Sequence, residues 1–269
     1  MQADLIALDP AFLAKYNHPV PRYTSYPTAP QFYPINPEFY RQHCLRFDAS
    51  DKPLSVYIHI PFCKTMCLFC ACSVVLNRNL GRQRTYLEAL FREIALLPFH
   101  KKRRLTQLHL GGGTPTSLSE EEFALLWCHL QERFFFDGEA EISVEIDPRT
   151  VFGDQGKKLT FLKQLGVNRV SFGVQDLDAV VQEAVRRRQS VEMTRITYEK
   201  ARELGFEGIN LDLIYGLPCQ TAERFCDTAE QIAALKPDRI SFFSYAKVPW
   251  LKSHQKAIAE ETLPSDEEK

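Results

Sequence analysis

The sequence predicts an α/β protein in which six parallel strands alternate with helices, forming a (β/α)6 partial TIM-type barrel behind an irregular N-terminal arm. From Leu54 onward, apolar strand-like segments alternate with helical segments six times. Polar residues and glycines follow the carboxyl ends of these strands, which is the edge where parallel sheets bind ligands. An open Rossmann-type sheet is the alternative, but no strand leads into a G-x-G-x-x-G sequence.

Residues 1–52 form the predicted arm. Six prolines between positions 19 and 37 interrupt this segment, which predicts turns and short helices. Its many aromatic residues suit either an arm packed on the main domain or a flap over an apolar substrate. We assign residues 53–250 to the (β/α)6 core and residues 251–269 to the start of a linker.

Short apolar runs predict the strands, and helical spacing or capping residues predict the helices between them. The predicted strands are Leu54–Ile60, Leu105–Leu110, Glu141–Ile146, Arg169–Val174, Ile209–Tyr215 and Arg239–Ala246. The predicted helices are Arg82–Leu97, one beginning at Ser119, Gly156–Leu165, two near 177–187 and 191–204, and Ala222–Leu235. Ser119 precedes an acidic first turn, and Gly166 and Gly205 follow the ends of their helices.

Composition excludes several classes of function. The chain has 269 residues, of which 45% are hydrophobic, and a net charge of -1, so we expect no binding to nucleic acid. No apolar run approaches the ~20 residues of a membrane helix, and the N-terminus lacks a signal-peptide pattern. Four of the eight cysteines lie within ten residues, which favours a metal centre over disulfides. We therefore expect a cytoplasmic protein without a membrane span.

The first predicted strand leads into Cys63, Cys67 and Cys70, which are spaced C-x3-C-x2-C. A four-iron cluster normally takes four thiolates, so three cysteines would leave one iron open to a small molecule. An open coordination position is typical of a catalytic centre. A structural zinc site with Cys72 as the fourth thiolate is the alternative, but zinc ribbons place their C-x2-C pairs far apart.

Motifs along nearly the whole chain resemble the oxygen-independent coproporphyrinogen III oxidases (dehydrogenases), which are radical-SAM enzymes of haem synthesis. The motifs are 21–29 (PRYTSYPTA), 57–72, 109–116 (HLGGGTPT), 141–149 (EISVEIDPR), 173–176 (GVQD), 210–218 (NLDLIYGLP) and 237–239 (PDR). The related haem-chaperone family shares the cysteine core. It lacks the arm motif and usually has phenylalanine at the position of Cys72.

The resemblance implies oxidative decarboxylation of two propionate side chains of coproporphyrinogen III to vinyl groups, which gives protoporphyrinogen IX. It implies a [4Fe–4S] cluster on the three cysteines, two molecules of S-adenosylmethionine (SAM), and a reductant such as flavodoxin or ferredoxin. The implied contacts with the first SAM are Tyr57, Phe69, Gly112 and Glu145, and those with the second are Gly113, Thr114, Gln175, Arg187, Asp212 and the backbone of Ala246. No catalytic side chain is assigned.

The departure from the family is at the C-terminus, because the family continues into a mostly helical domain that covers the substrate and supplies a SAM contact, and this sequence stops before it. A haem-binding protein of the same superfamily and an inactive shortened form are the alternative functions. We expect the protein to be a monomer. As a hypothesis, Arg22 of the arm contacts the substrate.

Overall fold

The structure is a computed structural model that describes residues 31–76, 80–265 and 268, together with residues 9, 11, 12 and 15. The chain divides into two units, Met1–His43 and Cys44–Lys269. The predictions for Arg22 and the arm motif lie outside the described residues. The first long helix of the described residues is Pro37–Asp48. Among the described helices, none has the length and apolar character to cross a membrane.

A six-stranded parallel sheet forms the centre of the second unit. Its strands are β1 (Leu54–Ile60), β4 (Arg103–Gly112), β5 (Phe134–Ile146), β6 (Arg169–Gln175), β7 (Gly208–Tyr215) and β8 (Arg239–Ser244). The spatial order β1-β4-β5-β6-β7-β8 follows the chain, and every neighbouring pair is parallel. The predicted α/β half-barrel is therefore confirmed.

Helices connect successive strands. They are Leu80–Leu96, Glu120–Arg133, Lys157–Gln164, Ala179–Ala184, Val191–Glu203 and Ala222–Leu235. Ser119 begins the second of them with a capping box, in which its hydroxyl accepts from the Glu122 amide and the Glu122 carboxylate accepts from the Ser119 amide. These caps satisfy amides that a helix cannot pair internally.

The core of the sheet is closely packed. Leu108, Leu110, Val144 and Leu211 are completely buried on the central strands. Because both faces of a parallel sheet are normally covered, such strands are nearly continuous in apolar residues. The register also aligns polar residues across the sheet: Tyr57 pairs with His109, and His109 pairs with Ser143.

Two features of the sheet were not predicted. β5 begins at Phe134 rather than Glu141, because residues 134–136 already pair with residues 103–105 of β4. The regular pairing is then interrupted near Asp137 and Gly138 and resumes at Glu141. The two-residue strands β2 (Phe62–Cys63) and β3 (Val75–Leu76) form a separate parallel pair. This small pair brackets the loop that carries Cys67 and Cys70.

Candidate functional site

The cysteine loop follows β1 and is held by backbone hydrogen bonds. The Val75 amide donates to the Pro61 carbonyl at 2.7 Å, which closes the base of the loop. The Leu68 amide donates to the Val185 carbonyl at 2.9 Å, which ties the middle of the loop to the end of another helix. These bonds fix the backbone between Cys63 and Cys70, so the three thiols start from a defined scaffold.

The cysteine thiols have different surroundings. Cys63 Sγ lies 3.4 Å from the Thr114 hydroxyl, and burial raises the pKa of the Cys63 thiol. Cys70 and Cys72 share a hydrogen bond, which raises the pKa of Cys70 and lowers that of Cys72 to about 6. Cys72 is exposed, whereas Cys67 is buried.

The buried thiol of Cys67 is approached by two guanidinium groups. Arg149 Nη2 lies 3.7 Å and Arg187 Nη1 lies 3.6 Å from Cys67 Sγ. Asp147 accepts from Arg149 at 2.6 Å and pairs with Arg187 at 3.5 Å. Burial alone would raise the pKa of Asp147, but the charges of Arg187 and Arg149 outweigh burial and lower that pKa.

The glycine-rich end of β4 lies directly against the cysteine loop. The Gly113 amide donates to the Ile60 carbonyl at 2.8 Å. A Cβ on Gly113 would lie 2.6 Å from the Pro61 carbonyl oxygen, which is too close for any side chain. Gly112 adopts a φ of 122°, a conformation that favours glycine. The two glycines therefore allow an approach of backbone to backbone that other residues would block.

Glu145, on β5, lies beside this glycine loop. Its carboxylate accepts from the Gly112 amide at 3.0 Å, and His109 Nε2 lies 3.2 Å away. His109 also contacts the Ser143 hydroxyl and stacks on Tyr57, with ring centroids 5.7 Å apart. The ring of His109 thus joins the Glu145 carboxylate to Tyr57, a role that its place within the sequence motif did not reveal.

The Asp212 carboxylate lies farther along the sheet on β7. It accepts from the Ser171 hydroxyl at 3.1 Å and from Asn210 Nδ2 at 2.7 Å. Burial raises the pKa of Asp212, and the nearby charge of Glu145 adds to the increase. Gln175, at the end of β6, has a φ of 72°, which is unusual for a residue with a side chain.

Residues after β8 also bind the backbone of the cysteine loop. Gln255, which is completely buried, donates to the carbonyls of Phe69 at 2.9 Å and Ala246 at 3.1 Å. His254 and Lys252 contact the carbonyls of Cys70 and Cys72 at 2.8 Å and 2.6 Å. Sequence reasoning missed this clamp, because the partners are about 180 positions apart and each bond ends on a backbone atom.

The contacts therefore connect most of the predicted site residues. Thr114 contacts Cys63, the Gly112 amide donates to Glu145, and Arg187 contacts Cys67. Gln255 connects Ala246 to Phe69, and Phe69 packs against the apolar cluster of Val181, Val185 and Leu217. Arg187 is the buried member of three successive arginines, and Arg186 and Arg188 are exposed. No direct contact joins Asp212 to the cysteine loop among the bonds of the described residues.

Comparison with protein families defines the class. The model of the Radical SAM superfamily matches residues 57–232, which include residues 57–60 of β1, the cysteine loop and strands β2 to β7. The chain belongs to the radical SAM superfamily, and the family implies a [4Fe–4S] cluster and SAM. The relatives are more specific. The oxygen-independent coproporphyrinogen III oxidase of Escherichia coli strain K12 is 43% identical over 272 residues, and that of Pseudomonas aeruginosa strain PAO1 is 43% identical over 271 residues.

The alignments cover 100% and 99% of this chain, and the chain spans 58% of the length of each relative. A solved structure described as "Coproporphyrinogen III oxidase (HemN) from Escherichia coli is a Radical SAM enzyme" matches with a TM-score of 0.88 and 41% identity. That match covers 96% of this chain and 58% of the other. The structure of "Native anSMEcpe with bound AdoMet" matches with a TM-score of 0.51 at 14% identity and shares the fold alone.

The residues of the loop fit the donor set of an iron–sulfur cluster. Such clusters are held by cysteine sulfur, and the loop offers the free cysteines Cys63, Cys67 and Cys70. The Nε atom of buried Arg187 has no hydrogen-bond partner among the described residues. Within those residues, no group of three His, Cys, Asp or Glu side chains forms a site for a single metal ion. Soft sulfur ligands with a polar lining are the expected donor set.

Proposed function

We propose that this chain carries the radical-SAM core of an oxygen-independent coproporphyrinogen III oxidase. The observation that carries the proposal is the contact between the cysteine loop and the glycine loop, made by Thr114 on Cys63 and by the Gly113 amide on Ile60. The named relatives align over the whole chain at 43% identity, which supports the substrate assignment to coproporphyrinogen III.

Cys63, Cys67 and Cys70 would hold the cluster, with Cys72 left outside the ligand set. When bound, the cluster supplies one electron that cleaves SAM reductively to a 5′-deoxyadenosyl radical. Each propionate side chain would give one hydrogen atom to one such radical, which becomes 5′-deoxyadenosine. The propionate would then lose CO2 and pass one electron to an acceptor, which leaves a vinyl group, so two propionates take two radicals.

The protein side chains would orient the two SAM molecules. SAM carries a sulfonium and an ammonium, so the Glu145 and Asp212 carboxylates are suited to attract it, and Arg187 is suited to its carboxylate. Tyr57 and Phe69 offer aromatic faces to the first SAM, and Gly112 would also contact it. The second SAM would also contact Gly113, Thr114, Gln175 and the backbone of Ala246.

We further propose a cytoplasmic monomer that takes electrons from a flavodoxin or a ferredoxin. The cytoplasmic assignment rests on the four cysteines between residues 63 and 72, which a reducing compartment keeps free for metal binding. The predicted domain boundaries at residues 52 and 250 belong to the same proposal.

Anaerobic reconstitution of the full chain tests this function. Wild type should gain about four irons per chain and, with SAM and dithionite, should form 5′-deoxyadenosine. Cys67→Ser should lose iron and deoxyadenosine, whereas Cys128→Ser, which alters an exposed cysteine on the helix Glu120–Arg133, should retain both. Zinc without iron would contradict the radical mechanism. Deoxyadenosine formation with no decarboxylated product from coproporphyrinogen would contradict the substrate, and haem transfer instead would favour the chaperone function.

A further inference from the structure

The three proposed cluster thiolates differ in the charge around them. Cys63 faces the neutral Thr114 hydroxyl, and Cys70 faces the sulfur of Cys72. Among the hydrogen bonds of the described residues, guanidinium groups donate to the sulfur of Cys67, from Arg149 and Arg187, and not to the sulfur of Cys63 or Cys70. The positive charge therefore lies on the Cys67 side of the site, and this side differs electrostatically from the Cys63 and Cys70 sides.

The charge beside Cys67 is held in place and is only partly balanced. Arg149 Nε donates to both oxygens of Asp147, at 2.9 and 3.1 Å, and Nη2 is left to span Asp147 and Cys67. Two arginine cations face one Asp147 carboxylate, so one positive charge is in excess. The side chains of Arg149, Asp147 and Arg187 are 20%, 11% and 7% exposed, so water screens this excess weakly.

Hydrogen bonds and charge at the sulfur ligands are among the features that set the reduction potential of an iron–sulfur cluster. Reduction adds one electron, and therefore one negative charge, which a nearby cation stabilises. We propose that Arg149 is a positioning residue that raises the reduction potential of the cluster through Cys67, and that Asp147 both orients Arg149 and offsets part of its charge. The inference rests on the proposed three-cysteine cluster but not on the identity of the substrate.

Redox titration of the reconstituted full chain without SAM, with the reduced cluster followed by EPR, tests the proposal. Arg149→Gln removes the cation and should shift the potential to more negative values. Arg149→Lys keeps the charge and should recover most of the wild-type potential. Asp147→Asn removes the opposing carboxylate and should shift the potential the other way, to more positive values.

The opposite signs separate an electrostatic role from simple loosening of the loop, which would shift Arg149→Gln and Asp147→Asn in one direction. Arg195→Gln is the matched control, because Arg195 pairs with Glu199 on the surface of the helix Val191–Glu203, and it should not change the potential. Iron and sulfide are counted for every variant. If Arg149→Gln assembles no cluster, the direction in which Asp147→Asn shifts the reduction potential decides whether the inference holds.

An Arg149→Gln protein with full cluster content and the wild-type potential overturns the inference, as does an Asp147→Asn protein with an unmoved or more negative potential. In both cases the cluster itself, and with it the proposed function, would stand. A wild-type chain that assembles no iron–sulfur cluster overturns the proposed function and this inference together.

Discussion

Gly113 marks the closest approach of the glycine loop to the cysteine loop, and adding one methyl group there tests how tightly the two fit. A Cβ would lie 2.6 Å from the Pro61 carbonyl oxygen, 2.7 Å from the Pro61 carbonyl carbon and 3.0 Å from Cys63 Sγ. Gly113 is not among the glycines with positive φ, so the cost of Gly113→Ala comes from contact rather than from backbone conformation.

Two of these three atoms belong to the backbone, so they cannot rotate away from the methyl group. Overpacking of this kind typically costs about 1–3 kcal/mol. A loss of about 2 kcal/mol lowers the melting temperature of a domain this size by roughly 4–8 °C. Because the displaced atoms include Cys63 Sγ, we also expect Gly113→Ala to bind less iron on reconstitution.

Thermal unfolding of the apoprotein and iron counts after reconstitution measure the two effects separately. Gly138→Ala is the matched control, because a Cβ on Gly138 has no atom within 4 Å. Its melting temperature and iron content should equal those of wild type. If Gly113→Ala also melts with wild type and binds the same iron, the two loops are not packed as tightly as their geometry indicates.

Two further predictions concern other parts of the site. Gln255→Leu leaves the Phe69 and Ala246 carbonyls without their amide donor, so the free energy of unfolding in urea should fall by about 2–4 kcal/mol; a change below about 0.5 kcal/mol would contradict the clamp. Burial raises the pKa of Asp212 in the folded protein, so its carboxyl group ionises less readily there than in the unfolded chain. The free energy of unfolding therefore falls as the pH rises through and above the usual aspartate range. Asp212→Asn should therefore melt higher than wild type at pH 7, and the gain should shrink as the pH falls toward about 3.9, the unfolded value. A lower melting temperature at pH 7 would refute the burial argument.

The fold could be predicted because its signals are local. The helix Ala222–Leu235 matches its predicted bounds, since a threonine cap begins it and the helical apolar pattern ends at Leu235. β5 was predicted seven residues too short, because its first part is specified by pairing with β4 rather than by its own alternation. Long-range pairing of this kind overrides local pattern.

The site could be predicted only where its residues lie within compact motifs. Cys63, Gly112 and Glu145 stand at strand ends, and parallel topology brings such ends together. Arg149 lies within the motif 141–149 and Gln255 lies outside the motifs, but neither contact could be read from the sequence, because the partners are 82 and 186 positions away. Spacing within a motif reports which residues are neighbours along the chain. It does not report which distant side chain completes their hydrogen bonds.

Two local features of this site oppose stability, and their coincidence supports the proposal of ligand binding there. Gln175 adopts a positive φ, and Asp212 is ionisable and partly buried. A rim that served only to close the sheet would gain stability from exchanging either of them. Both lie on neighbouring strands, β6 and β7, at the edge where a parallel sheet binds ligands. Features that oppose stability are expected where a protein binds a ligand, so Gln175 and Asp212 support our proposal that this edge is functional.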